Sequence, residues 1–283
     1  MKLVRTKGEL RNALASPRRR GERIGLVPTM GAMHEGHLSL IREARRTCDH
    51  VVVSLFVNPT QFGSGEDLGD YPRDEARDSD IAEAEGVDLL YAPAVEEVYP
   101  DGFATAVAVQ GLTEVLDGEA GRRGPEHFRG VTTVVAKLLN TVQPDVAFFG
   151  QKDAQQAVVI RRMVRDLDFP VRIEVLPTVR EPDGLALSSR NRYLSGEERK
   201  RAAALSRALR AAEAAAGDGA SVSAALAAAR AELESAQIDP EYLEARDAED
   251  LTPAQSFNGR PVLIALAARV GRARLIDNVV IGG

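Results

Sequence analysis

Short apolar runs alternate with amphipathic helical patterns up to about residue 176, and this alternation constrains the fold more than any other feature. The run at 51–57 is almost continuously apolar, which is typical of a strand with both faces covered in a parallel sheet. Alternating strands and helices imply right-handed crossovers and a doubly wound parallel sheet. We therefore predict a Rossmann-like α/β domain over residues 1–182. Its strands are predicted at 24–27, 51–57, 87–91, 145–149 and 171–176, and its helices at 38–46, 74–85, 131–142 and 154–167.

A second pattern begins after about residue 183. Two alanine-rich helices are predicted at 196–216 and 221–236, followed by strands at 242–247, 262–270 and 274–281. Leucines recur at helical spacing in both helices, which indicates packed amphipathic helices rather than low-complexity sequence. Roughly 100 residues form a typical small domain. We predict a smaller α+β domain over residues 183–283.

Charge, hydropathy and cysteine content narrow the functional classes. The chain has 36 basic and 42 acidic side chains and a net charge of −6, which argues against a nucleic-acid partner. No apolar run approaches the roughly 20 residues that span a bilayer, and the first residues lack the apolar core of a signal peptide. Cys48 is the single cysteine, which excludes an intrachain disulfide and fits a reducing compartment. We predict a cytoplasmic protein with no membrane partner.

The stretch Pro28–His37 connects the first predicted strand to the first predicted helix and carries His34 and His37 on a glycine-punctuated turn. Backbone amides at a helix N-terminus lack intrahelical partners and bind phosphate. Their field disfavours a charged imidazole, which keeps a histidine neutral and able to donate a hydrogen bond. The combination suits phosphate chemistry on a nucleotide.

Two other interpretations of this histidine pair stay open. A zinc site is disfavoured, because zinc-binding helices place histidines at i and i+4 with a glutamate between, whereas these lie at i and i+3. Four histidines and one cysteine also leave few further soft ligands. The second interpretation is that both rings are simply satisfied within the turn.

Three further segments fall where a sheet would gather functional groups. Asn58–Phe62 carries amides suited to a hydroxyl or carboxylate, although Asn-Pro also starts simple turns. Gly150–Asp153 places Lys152 at a helix start, where a cation opposes the macrodipole, while Asp153 is equally consistent with a helix cap. Leu187–Arg192 places two hydroxyls before an arginine, which suits a polyphosphate.

An acidic chain that binds anions must concentrate positive charge locally. The basic loop at 121–130 is consistent either with an anion-facing lid or with a solvated connector. The candidate cations are Arg122, Arg123, Arg129, Lys152, Arg190 and Arg192.

Six segments together, in order and at consistent spacing, resemble the pantothenate synthetase (pantoate–β-alanine ligase) family. They are Met30–His37, Phe56–Phe62, Tyr71–Asp74, His127–Val131, Gly150–Asp153 and Ser188–Arg190. The His-x-Gly-His element alone would indicate only the wider HIGH-type nucleotidyltransferase superfamily. The combination is more specific, whereas the C-terminal domain agrees with the family in size and element order without a motif of its own.

The resemblance implies ATP-dependent condensation of D-pantoate with β-alanine to pantothenate, AMP and pyrophosphate, through a pantoyl adenylate. It implies ATP as a substrate, Mg²⁺ held mainly by ATP, a homodimer, and a lid role for the smaller domain. Two alternatives are another nucleotidyltransferase with a phosphorylated acceptor and a nucleotide-binding regulatory module without turnover. Neutral amides on the substrate side favour a hydroxy acid, and two histidines with a lysine exceed what simple binding requires.

The resemblance also implies roles for individual residues. The catalytic residues are His34, His37, Lys152 and Arg190, with His37 as the proton donor. The ATP-binding residues are Met30, Gly31, His34, His37, Gly150, Gln151, Lys152, Asp153, Val179, Leu187, Ser188, Ser189 and Arg190. The residues expected to bind pantoate and β-alanine are Gln61, Gln156, Asn58 and Tyr71.

Overall fold

The computed structural model describes residues 1–63, 68–119 and 122–282. Gly121 of the predicted basic loop lies outside the described residues. The chain divides into two compact units. The first comprises Met1–Glu114, Gly118–Gly150 and Val159–Leu176, and the second comprises Val115–Asp117, Gln151–Val158 and Pro177–Gly283. The sequence prediction places one boundary between residues 182 and 183, whereas the second unit draws on three separate segments.

The first unit contains a parallel sheet. Its strands are β1 Lys2–Val4, β2 Ile24–Thr29, β3 His50–Leu55, β4 Leu89–Tyr91, β5 Val146–Gly150 and β6 Arg172–Leu176. They lie in the order β1-β4-β3-β2-β5-β6, and every neighbouring pair is parallel. This confirms the predicted doubly wound sheet. The switch point lies between β2 and β5, and ligands of such sheets bind at the carboxyl ends of the strands beside it.

Helices connect these strands. They are α1 Lys7–Arg19, α2 Glu35–Thr47, α3 Glu75–Ala84, α4 Val95–Val98, α5 Pro125–Val142 and α6 Ala154–Asp166. The sequence patterns missed β1 and α1. Strand β1 has three residues, of which Val4 alone is buried, and α1 buries Leu10 and Leu14 among many charged residues. Neither element therefore has a clear apolar periodicity.

Alternate residues of the central strands pack into two different apolar cores. Leu26 and Val52 belong to one core, and Val27, Val51 and Val53 belong to the other. Successive side chains of a strand point to opposite faces of a sheet, so both faces are covered. Double coverage explains why the sequence at 51–57 is almost continuously apolar.

The second unit is the predicted α+β structure. Its elements are helices α7 Gly196–Gly217 and α8 Val222–Ser235 and strands β7 Pro240–Asp247, β8 Val262–Val270 and β9 Ala273–Ile281. The three strands form an antiparallel sheet in the order β7-β8-β9. Leu205, Leu209 and Leu233 of the helices share a core with Ile264 and Leu266 of β8. Across the described part of the chain, no helix has the length and apolar character required to cross a bilayer.

Candidate active site

The turn after β2 carries His34 and His37 to the start of helix α2. His34 is the N-cap of this helix, with φ −142°, and His37 lies in the first helical turn. Nδ1 of His34 accepts a hydrogen bond from the amide of Gly36 at 3.2 Å, and Nδ1 of His37 accepts from the amide of His34 at 3.4 Å. The helix begins at Glu35, earlier than the predicted start at residue 38.

These contacts assign different roles to the two nitrogens of each ring. In a neutral imidazole one nitrogen accepts and the other donates. Because Nδ1 faces a backbone amide in both His34 and His37, the proton of each neutral ring belongs on Nε2. The ring centroids lie 4.2 Å apart. The pair therefore caps the start of α2 through Nδ1, and Nε2 is the donor nitrogen of each ring in its neutral form, the kind of group that binds phosphate oxygens.

A buried amide network follows β3. Asn58 is 1% exposed. Its Nδ2 donates to Oε1 of Gln61 and to the carbonyl of Gly130, each at 3.1 Å. Its Oδ1 accepts from the hydroxyls of Thr60 at 2.9 Å and Tyr99 at 2.8 Å. Both ends of the Asn58 carboxamide are engaged by protein groups, which favours a role in orienting Gln61 over direct contact with substrate.

Further predicted site residues of the first unit are Met30, Tyr71 and Gly150. Nε2 of Gln61 lies 3.1 Å from Sδ of Met30, so the structure brings the end of β2 and the turn after β3 together. Tyr71 is buried and packs edge-on against Phe62, with ring centroids 5.7 Å apart. Gly150 is the last residue of β5, next to the switch point.

Helix α5 packs closely against the turn that carries Gln61. A Cβ added at Gly130 would overlap the carbonyl oxygen of Thr60 and would lie 2.7 Å from the amide nitrogen of Gln61. His127, one turn earlier, places Nδ1 2.7 Å from the carbonyl oxygen of Gln61 and donates to it. The first turn of α5 thus fixes the backbone of Gln61 from one side.

Replacing Gly130 by alanine is expected to displace this turn, because the new methyl group meets backbone atoms that no rotamer change can move. We expect a loss of about 1–3 kcal/mol in the free energy of unfolding, the usual cost of overpacking. We also expect a raised KM for the substrate that Gln61 is predicted to bind. Urea unfolding and steady-state kinetics measure the two effects. Gly196→Ala, at a helix start with no atom within 4 Å of the added Cβ, is the matched control. Equal effects of the two substitutions would contradict the packing argument.

In the second unit, Gln151–Asp153 forms a 3-10 turn ahead of α6. Asn278 of β9 is 4% exposed and secures this turn. Its Nδ2 donates to the carbonyls of Gln151 at 2.9 Å and Lys152 at 3.0 Å, and its Oδ1 accepts from Nε2 of Gln151 at 3.0 Å. Nζ of Lys152 lies 3.8 Å from a carboxylate oxygen of Asp153. The backbone that carries the Lys152 ammonium is therefore held from β9.

Two adjacent glutamines at the start of α6 have different environments. Gln155 is buried, accepts from the amide of Asp117 at 3.0 Å and donates to the carbonyl of Val115 at 2.7 Å. Gln156 is half-buried. Since Gln155 has a structural role, Gln156 remains the candidate for substrate binding.

Five predicted ATP-binding residues lie together in the second unit. The amide of Leu187 donates to the carbonyl of Val179 at 3.0 Å. Ser188 caps the 3-10 helix Ser189–Tyr193, and its hydroxyl accepts from the amide of Arg190 at 3.3 Å. The local fold thus places two hydroxyls and a guanidinium on one short turn.

Glu181 supports this turn. Nδ2 of Asn191 donates to Oε1 of Glu181 at 2.8 Å and to the carbonyl of Ala186 at 3.1 Å. Arg199 binds the same carboxylate at 2.5 Å. The hydrogen bond from Arg199, helped by that from Asn191, outweighs burial and holds the pKa of Glu181 below its ordinary value.

A pH dependence of stability follows from Glu181. A lowered folded-state pKa stabilises the native state at pH values above the ordinary value of 4.5, and this contribution is lost as the pH falls through the folded-state pKa. We expect Glu181→Gln to lower the Tm at neutral pH and the difference to shrink between about pH 5 and pH 3. Thermal unfolding across this range measures it, with the exposed Glu213→Gln as control. A Tm difference that is constant with pH would contradict the assignment.

Two of the predicted cations, Arg122 and Arg129, form ion pairs with nearby carboxylates. Arg122 pairs with Glu119 at 2.8 Å and Arg129 pairs with Glu126 at 3.1 Å, so nearby carboxylates offset part of the predicted positive charge. Among residues 1–63, 68–119 and 122–282, no group of three or more His, Cys, Asp or Glu side chains is placed to hold a metal ion.

Two buried polar residues that hydrogen-bond to predicted site segments were missed by sequence reasoning: Asp78, which accepts from the amides of Ala32 and Met33, and Asn278. Asp78 lies in a charged stretch, and Asn278 interrupts the apolar run of the last strand. A buried polar residue within an apolar strand is a signal that could have indicated Asn278. Nothing in the local sequence distinguishes Asp78 from its charged neighbours.

The doubly wound parallel sheet, with a histidine-bearing turn at its switch point, places the first unit in the α/β class whose ligands bind at the carboxyl ends of the strands. A sequence model of the family described as pantoate-beta-alanine ligase matches residues 2–280. The chain belongs to this family, and it is therefore a ligase.

Individual relatives agree over the full length. The chain is 55% identical to the pantothenate synthetase of Moorella thermoacetica, with 99% of each chain covered. It is 52% identical to that of Novosphingobium aromaticivorans, with 100% of this chain and 99% of the relative covered. The crystal structure of the pantothenate synthetase of Thermus thermophilus matches with a TM-score of 0.92 at 52% identity, covering 99% of each chain. The structure of the Francisella tularensis pantoate-beta-alanine ligase, complexed with beta-gamma ATP and beta-alanine, matches with a TM-score of 0.80 at 32% identity. The match covers 99% of this chain and 97% of that chain.

Proposed function

We propose that this chain joins D-pantoate to β-alanine in two steps through a pantoyl adenylate. First, a carboxylate oxygen of pantoate bonds to the α-phosphorus of ATP, the bond to the bridging oxygen breaks, and pyrophosphate leaves. Second, the neutral amine of β-alanine bonds to the acyl carbon, the bond to AMP breaks, and the amine loses a proton. The observation that carries this proposal is the histidine pair on the turn after β2, beside the switch point of the sheet, with Nδ1 of each ring accepting from a backbone amide.

In the first unit, His34 and His37 bind the α- and β-phosphates and stabilise the charge that develops on them, with His37 as the proton donor. Met30 and Gly31 line the ATP pocket. Gln61 orients pantoate close to where β-alanine enters. The weaker substrate-side candidates are Asn58, which holds Gln61, and Tyr71.

In the second unit, Lys152 and Arg190 neutralise the polyphosphate, together with the hydroxyls of Ser188 and Ser189. The carboxylate of Asp153 suits the ribose hydroxyls. The remaining contacts in this unit are assigned to Gln151 for ATP, Val179 and Leu187 for adenine, and Gln156 for pantoate, and Gly150 of the first unit is also assigned to ATP. We further assign the residues from 183 onward a lid role over the bound nucleotide.

ATP enters as its Mg²⁺ complex in this proposal. Mg²⁺ retains several waters and is usually bound through one or two carboxylates and substrate phosphates. We assign this ion mainly to ATP.

The proposal includes a homodimer and a cytoplasmic location. Residues 103–109 lie outside every helix and strand, and Phe103 is 37% exposed. Val107 and Val109 pack partly against the core, while the other residues of 103–109 are exposed. Sedimentation equilibrium tests the dimer. The lone, buried Cys48 fits a reducing compartment.

An isotope experiment tests the adenylate directly. Pantoate labelled with ¹⁸O in its carboxylate transfers one labelled oxygen to AMP if an acyl adenylate forms and the amine then attacks the acyl carbon. Mass spectrometry of the AMP is expected to show this transfer. Unlabelled AMP would contradict the proposed sequence of steps.

A further inference from the structure

We propose that Asp78 is a positioning residue for adenylate formation and acts by holding the backbone turn that carries the two histidines. Its Oδ2 accepts from the amide of Ala32 and its Oδ1 from the amide of Met33, each at 2.8 Å. Asp78 is 1% exposed, so both hydrogen bonds are shielded from water. The inference rests on the proposed roles of His34 and His37.

The conformation of the turn explains why a carboxylate is needed there. Gly31 has φ 87° and Ala32 has φ 51°, two consecutive residues in the left-handed region. This region is unfavourable for an L residue such as alanine, so something must hold it. Successive amides in such a turn form a concave anion site. Here the anion is the carboxylate of Asp78, so the amides of Ala32 and Met33 are occupied by the protein itself.

The glycine at position 31 is a second observation in favour of this role. A Cβ added there would lie 2.8 Å from Oδ2 of Asp78 and 2.9 Å from Cδ1 of Leu55. A side chain at residue 31 would therefore displace the carboxylate of Asp78 or the side chain of Leu55. Residue 31 thus combines a positive φ with the space that Asp78 requires.

The position of the turn in the chain connects Asp78 to the chemistry. The turn lies between Thr29, the last residue of β2, and His34, the N-cap of α2. Asp78 reaches it from the first part of helix α3. A shift of the turn displaces His34, and with it His37, whose Nδ1 is bonded to the amide of His34. Misplacement of a catalytic group by about 1 Å can cost about 100-fold in rate.

The test compares Asp78→Ala and Asp78→Asn with a matched control, Asp88→Ala. The carboxylate of Asp88 also accepts from a backbone amide, that of Val51 at 2.8 Å, but near the amino end of β3. We expect Asp78→Ala to lower kcat of pantoate-dependent pyrophosphate–ATP exchange by about 10–100-fold. Asp78→Asn keeps one acceptor oxygen and is expected to restore part of the rate. Both should leave the reaction of supplied pantoyl adenylate with β-alanine within about 3-fold of wild type.

Asp88→Ala is expected to lower the Tm and to leave the exchange rate unchanged below it. Wild-type exchange by Asp78→Ala overturns the inference, as does equal slowing of both half-reactions. If the alanine variant does not fold, a wild-type exchange rate in Asp78→Asn overturns it equally. The variants His34→Asn and His37→Asn distinguish failure of the proposed histidine roles from failure of the Asp78 inference. Normal exchange in these variants refutes the proposed histidine roles, whereas slow exchange there with normal exchange in the Asp78 variants refutes the Asp78 inference alone.

Discussion

Replacing Lys152 by alanine is expected to slow adenylate formation by about 10²–10³-fold. Removal of one preorganised electrostatic group from a transition state costs about 3–4 kcal/mol. The 3-10 turn of Lys152 is held through its carbonyl by Asn278, so the ammonium is lost without release of the backbone that carried it. Pantoate-dependent pyrophosphate–ATP exchange measures the effect at saturating ATP and pantoate.

Two variants control for charge and for folding. Lys152→Arg keeps a cation but changes its shape, and it is expected to recover only part of the rate. Lys200→Ala removes an exposed lysine that pairs with Glu197 and is expected to exchange at the wild-type rate. A folded Lys152→Ala protein with a near-normal exchange rate would exclude Lys152 from the catalytic group.

Replacing His37 by asparagine is expected to slow adenylate formation far more than the attack of β-alanine on supplied pantoyl adenylate. The asparagine carbonyl can replace Nδ1 as the acceptor for the amide of His34, whereas the Nε2 donor is lost. General acid catalysis contributes about 10²–10⁴-fold, which sets the expected size of the loss. Single-turnover measurements of the two half-reactions separate the effects.

The variant His37→Gln, compared with His37→Asn, tests whether a donor near the position of Nε2 is what matters. Its amide nitrogen can approach the former position of Nε2, so it is expected to retain more activity than His37→Asn. His50→Asn, near the amino end of β3, serves as the control for loss of an imidazole elsewhere. If both half-reactions slow equally in His37→Asn, the ring acts in a step common to both and the proton-donor role is wrong.

Much of the fold was predictable because buried strands and helices have a characteristic periodic spacing of apolar residues in the sequence. The apolar run at 51–57 identified a doubly covered strand, and the glycine-punctuated turn predicted after the first strand lies between β2 and α2. The short edge strand β1 and helix α1 show no such periodicity, since few of their residues are buried.

The sequence indicated candidate site residues where a motif lies within one turn. It did not indicate residues whose role depends on tertiary contacts with distant parts of the chain. The hydrogen bonds of Asn58 depend on Tyr99 and on the carbonyl of Gly130, both distant in sequence. The same holds for Asp78 at the histidine turn and for Asn278 at the Lys152 turn. Single polar residues that support a site from another element have no local periodicity, so only the folded structure identifies them.

The most direct measurement is pyrophosphate–ATP exchange with pantoate present and β-alanine absent. The account predicts rapid exchange that requires pantoate, because the adenylate forms before the amine takes part. A folded, ATP-binding protein that makes pantothenate but catalyses no such exchange, even with a non-reactive analogue of β-alanine added, would contradict a pantoyl adenylate as a free-standing first step.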